Sequence, residues 1–86
     1  MDFNYEENRI YKEDEDGKLL CEITFSEIKP GLYNINHTFV DESLRGQGIA
    51  KILVEEAIKT IRKENGKITA TCSYANNYLE KNNIKE

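Results

Sequence analysis

The chain has no tryptophan, one proline, one methionine, one histidine and two cysteines in 86 residues. Each scarcity excludes something. A single histidine, His37, cannot assemble a metal centre alone, and Cys21 and Cys72 lack the C-x-x-C spacing of a zinc or redox motif. Two such cysteines do not make a disulfide framework. No apolar run approaches the ~20 residues of a membrane-spanning helix, so no membrane partner is expected. The segment Met1 to Glu7 is acidic and has no apolar centre, so it does not read as a secretory leader; the expected location is cytoplasmic. Basic residues are outnumbered 16 to 12, giving a net charge of −4. A phosphate backbone rewards the opposite balance, so nucleic acid is not an expected partner. The run Glu13-Asp14-Glu15-Asp16 reads as a solvated turn, with attraction for cationic amines as the sharper alternative.

What is present describes one small domain spanning residues 1–86, with a polar tail, 83–86, expected to fray. A chain this short buries only about 60–65% of its unfolded surface, so a shallow groove is expected rather than an enclosed site. Asn8 to Lys12 reads as a short strand, and Asp16-Gly17 signals a hairpin. Leu19 to Ile28 alternates, with Leu19, Cys21, Ile23 and Phe25 on one face. Lys29-Pro30-Gly31 turns the chain into a strand from Leu32 to Val40, whose alternation puts Tyr33, Ile35, His37 and Phe39 together.

The period then becomes helical from Gly48 to about Asn65. Ala50, Leu53, Val54, Ala57, Ile58 and Ile61 form the apolar stripe, and Glu55 and Lys59 make a favourable i,i+4 pair. Asn65-Gly66 ends the helix, Lys67 to Cys72 reads as a strand, and Ser73 is placed to cap a last helix, Tyr74 to about Asn82. The fold read from this order is α/β (α+β): an antiparallel three-stranded meander, a βαβ unit and a C-terminal helix.

Arg45-Gly46-Gln47-Gly48-Ile49-Ala50 joins strand to helix. Glycines there leave backbone N–H groups bare, and the helix N-terminus adds partial positive charge, which together make a cradle for phosphate. The loop lacks the Lys-Ser/Thr pair of a P-loop, and its spacing is not that of a Rossmann fingerprint.

With this context the chain resembles the GNAT superfamily of N-acetyltransferases, whose cofactor loop Q/R-x-x-G-x-G/A is matched by Arg45, Gly48 and Ala50. It is most similar to small, single-domain YjdJ-like members, through His37-Thr38, Gly46 to Ala50 and Cys72-Ser73-Tyr74. The resemblance covers about Leu32 to Asn82. It implies acetyl-CoA or CoA as the cofactor, with the backbone of Gly46, Gln47, Gly48, Ile49 and Ala50 on the pyrophosphate. Phe39 and Val40 would pair with the pantetheine arm, and Arg45 would lie near phosphate. Only Glu13 to Lys18 separates the first two strands, where longer members carry helices. The acceptor site should therefore be open.

Acetyl transfer to an amine needs a base, a polarised carbonyl and an acid for the leaving thiolate. His37 is the candidate base; the alternative is a structural histidine bonded to a neighbouring strand. Cys72 is a candidate nucleophile or a neighbour of the CoA sulfur, and otherwise a small buried hydrophobe. The resemblance implies an acid role for a tyrosine on the last helix, which makes Tyr74 and Tyr78 candidates; otherwise they pack against the sheet. Asn77 and its neighbour Asn76 either touch the CoA arm or start a solvated helix. Three functions remain open: an N-acetyltransferase acting on a small-molecule or protein amine, a non-catalytic CoA-binding module, or a small interaction protein whose loop is only a turn. The chain is expected to be a monomer or a weak homodimer.

Overall fold

The computed structural model describes residues 2–84. Its spine is one mixed sheet of five strands in sequence order. Strands β1 (Asn4–Glu6), β2 (Arg9–Glu13), β3 (Leu19–Lys29) and β4 (Leu32–Val40) form an antiparallel meander. Helix α1 (Ile49–Lys63) then returns the chain to β5 (Lys67–Ala70), which pairs parallel to β4, and α2 (Ser73–Lys81) follows.

The turns follow from local chemistry. Asn8 takes the left-handed conformation between β1 and β2, at φ 66°. The Asp14 carboxylate accepts the amides of Asp16 and Lys18, both at 2.9 Å, and Gly17 at φ 83° completes that turn. The acidic run therefore closes a hairpin. Both helices end alike. Asn65 and Asn83 sit at φ 58° and 54°, and the next amides, Gly66 and Ile84, donate back to Ile61 and Leu79 at 3.0 and 2.9 Å.

One core holds the fold. Ile10, Cys21, Ile23, Phe25, Ile35 and Ile68 from the sheet meet Leu53, Val54, Ala57 and Ile61 of α1 and Ala75 and Leu79 of α2. Both helices feed this one cluster, so they cover one face of the sheet. The other face, with Arg9, Tyr11, Glu22, Thr24 and Asn36, carries no helix.

Several local expectations are corrected. The meander has a fourth strand, β1, whose Tyr5 hydroxyl is pinned by Glu56 at 2.6 Å. Residue 72, not Ser73, is the N-cap of α2. Lys59 pairs with Glu56 at 3.0 Å rather than with Glu55, which accepts from Tyr78 instead. Of the tail 83–86, Asn83 and Ile84 close α2, and Ile84 packs on the core. Lys85 and Glu86, the rest of that tail, lie outside the described residues.

Candidate functional site

The site is built where β4 changes register. Thr24 pairs with His37, but the next residue of β3, Phe25, pairs with Ile35. Asn36 is the extra residue, a β-bulge. A bulge shifts the alternation by one, so His37 and Phe39 fall on the face opposite Tyr33 and Ile35. The uninterrupted alternation read from the sequence is thereby corrected. Phe39 lies opposite Glu22 on the uncovered face, and Thr38 and Val40 take the core side.

Just past the bulge the sheet opens. Pairing of β4 with β5 ends at Ile35 and Ala70. The amides of Thr71 and Cys72 both turn back to the Ile35 carbonyl, at 3.1 and 3.2 Å. From Asn36 to Val40, β4 has no partner strand on that side. The Asp41 amide donates to the Leu20 carbonyl at 2.8 Å. By antiparallel alternation, Phe39 and His37 then bond toward β3, and the backbone of Thr38 and Val40 faces the gap.

The glycine loop stands at the end of this gap. Asp41 caps a short 3₁₀ turn, Glu42–Leu44, accepting the Ser43 amide at 3.1 Å and its hydroxyl at 2.7 Å. These Ser43 bonds, with Lys18 nearby, hold the Asp41 carboxyl below the usual carboxylate range. Gly46 at φ 83° and Gly48 at φ 73° turn the chain into α1, with Gly48 as its N-cap. The amides of Gly48, Ile49, Ala50 and Lys51 find no acceptor among the described residues. Gly48, Ile49 and Ala50 border a hollow of about 140 Å³ that Val40, Leu44, Arg45 and Gly46 also line. The Ile49 side chain is buried in the core, so only its backbone serves the loop. Gln47 is exposed, and Arg45 folds back, its Nε donating to the Val40 carbonyl at 3.4 Å.

The remaining candidates fall into three places. Cys72, half-buried, stands at the mouth of the gap on the helix side, its thiol donating to the Thr38 hydroxyl at 3.4 Å. His37 occupies the uncovered face at the same level, and its side chain is 52% exposed. The two therefore flank the gap from opposite sides. Tyr78 turns to α1, donating to Glu55 at 3.0 Å. Burial, then Glu55, raises its phenol pKa. Tyr74 and Asn77 line a separate hollow of about 200 Å³ with Tyr78 and Lys81. The sequence reading missed one group here. Glu22 had the look of a solvent-facing strand residue, yet its side chain is only 15% exposed, lying 3.4 Å from His37 Nε2 and paired with Arg9. That His37 shares its face depends on the bulge, which no periodicity announces.

No three His, Cys, Asp or Glu side chains converge as a metal site among the described residues, and none of their helices is long and apolar enough to cross a membrane.

Known proteins with this arrangement can now be compared. The solution structure of a GCN5-like protein from Staphylococcus aureus superposes with a TM-score of 0.79 at 36% identity, covering 95% of this chain and 80% of that one. Protein NATD1 of Homo sapiens is 33% identical over 55 residues, which are 64% of this chain and 49% of NATD1. The chain thus spans about half the length of the curated relatives it matches. The fold also matches a GNAT family N-acetyltransferase, YhbS of Escherichia coli, crystallised with CoA, with a TM-score of 0.62 at 22% identity over 72% of this chain and 38% of that one. The sequence model of the GCN5-related N-acetyl-transferases matches residues 9–85, nearly the whole chain, and the protein belongs to that family.

Proposed function

We propose that the protein is an acetyl-CoA-dependent N-acetyltransferase that takes its amine acceptor at the uncovered sheet face. The observation that carries this is the divergence of β4 from β5 beside unmet helix amides. The fit to CoA is chemical. Four amides at a helix N-terminus suit a pyrophosphate. Open space lies in front of Gly46 and Gly48, where an added Cβ would meet nothing within 4 Å. The backbone edge of Thr38 and Val40, where among the described residues only the Val40 carbonyl is met, by Arg45 Nε, suits the amide-bearing pantetheine arm, which can pair with it as a strand would. Arg45 is near enough to the loop to add positive charge, although the amides do most of the holding. The neighbour crystallised with CoA supports the same ligand.

Bound acetyl-CoA supplies the acetyl group as a thioester, whose thiolate leaves readily. The protein supplies position and a base. His37 stands on the uncovered face at the level of the gap. Its Nε2 is turned toward Glu22, so Nδ1 is the atom that takes a proton from an incoming amine. Cys72 borders the other side, held by Thr38. The hydroxyl of Tyr78 is engaged by Glu55, and Tyr74 is exposed and lines the separate hollow on α2, so neither tyrosine carries a proton in this reading.

The test has two stages. CoA and acetyl-CoA at 100-fold over Kd should each stabilise the fold by about 2.7 kcal/mol in thermal unfolding. No shift with either would end the CoA reading. Release of free thiol from acetyl-CoA in the presence of ethanolamine or spermidine should then fall about 100-fold in His37→Ala, leaving a measurable residual rate. Binding without any amine-dependent release would assign a non-catalytic CoA-binding role.

A further inference from the structure

The uncovered face carries a side-chain network next to the gap. Glu22 stands on the central strand β3, opposite Tyr11 of β2 and Phe39 of β4. One carboxylate oxygen, Oε2, pairs with Arg9 Nε, and the other, Oε1, lies 3.4 Å from His37 Nε2. Arg9 is itself fixed from two more directions. Its NH1 is 3.3 Å from Glu6, and its guanidinium lies 3.7 Å above the Tyr11 ring. At 15% exposure, the Glu22 side chain is far more enclosed than that of His37 at 52%. A carboxylate so enclosed on a face without helices is held there by its partners, and its second oxygen lies beside the imidazole.

We propose that Glu22 is a positioning residue. It holds the proton of His37 on Nε2 and directs the Nδ1 lone pair at the amine acceptor, with Arg9 anchoring the carboxylate. The proposal rests on the acetyl-transfer reading for its purpose, but not for its geometry. Chemistry sets the assignment. A carboxylate accepts only, so the ring nitrogen facing it must be the one carrying hydrogen, and the other nitrogen is left as the acceptor. The exposed imidazole would otherwise rotate freely and exchange between tautomers. Fixing it removes that freedom before the amine arrives. Thr24, the strand partner of His37, bonds Asn36 and so stays out of the network.

The sole histidine makes the test clean. In protein with ¹⁵N-labelled histidine at alkaline pH, the ring nitrogens of wild type should report one tautomer, protonated at Nε2. A ring that averages between tautomers in wild type would overturn the proposal without any variant. In Glu22→Gln the single carbonyl oxygen can serve Arg9 or His37 but not both. The Nε2-only signature should then be lost while the amide spectrum stays folded; an unchanged ring spectrum would also overturn it. Turnover of acetyl-CoA with ethanolamine adds a second arm. Glu22→Gln should lower kcat about tenfold with KM for acetyl-CoA unchanged, and should cost nothing further in a His37→Ala background. An equal loss in both backgrounds means that Glu22 acts independently of His37, and the proposal fails. If His37→Ala leaves turnover intact, the acetyl-transfer role of His37 falls, and the ring spectra still decide whether Glu22 orients it.

Discussion

The two halves of β4 share one strand and have opposite surroundings. From Leu32 to Ile35 the strand is paired on both sides, to β3 and to β5. Its neighbours there are packed tightly: Gly66 is pressed against the Tyr33 ring and Ile61, where an added Cβ would come within 2.6 Å. From Asn36 to Val40 the same strand keeps β3 and loses β5. What borders it is a polar bulge, a thiol, an imidazole and a set of unmet amides. The difference comes from one inserted residue and from two amides, Thr71 and Cys72, that turn back to the Ile35 carbonyl. Stability is concentrated in one half, and ligand chemistry in the other.

That division can be broken by mutation. The largest effect belongs to the closed half. Ile68→Ala removes a fully buried β5 side chain and should cost about 2–5 kcal/mol. Each kcal/mol lowers Tm by about 4–8 °C in a domain of this size. Gly66→Ala should follow at about 1–3 kcal/mol, because the Tyr33 ring and Ile61 must move aside. In both variants the CoA Kd measured on folded protein should stay near wild type; a large loss of affinity would show that the halves are coupled. Gly48→Val reverses the pattern. A β-branched residue at φ 73° costs about 1–2 kcal/mol of stability. Its side chain also enters the space before the loop amides, so CoA affinity should fall about tenfold or more. The smallest effect is expected at Thr38→Val. It removes a hydroxyl but keeps the backbone edge, and should move stability by no more than about 0.5 kcal/mol.

Acid sharpens the comparison from the open side. Asp41 titrates below its ordinary value because of the Ser43 bonds. A carboxylate depressed in the folded state adds stability above its unfolded pKa of about 3.9, and that stability is lost as pH falls through the lower folded value. Urea midpoints of wild type and Asp41→Asn should therefore differ at neutral pH and converge below about pH 4. A gap that persists at low pH would show that the Asp41 charge is not its source.

Much of this was legible in the sequence, and the exceptions have physical causes. The hairpin at Asp16-Gly17, the stripe of α1 and the glycine loop are local patterns, so they could be read directly. The bulge could not, since Tyr33, Ile35, His37 and Phe39 alternate as an unbroken strand would. With the bulge hidden, Glu22 looked like one more solvated strand residue. Strand β1 escaped because Asn4–Glu6 is short and wholly exposed, offering no apolar alternation. The polar pair Asn82-Asn83 hid the packing of Ile84 on the core.

We read the open half of β4 as a ligand cleft for CoA. The most direct test is titration of ¹⁵N-labelled protein with CoA, followed by amide shifts. The largest changes should fall on Thr38, Val40, Gly46 to Lys51 and Cys72, with Leu32 to Ile35 and Lys67 to Ala70 nearly still. Shifts centred on the closed half or scattered over the surface, with the Gly48 to Lys51 amides unmoved, would contradict it.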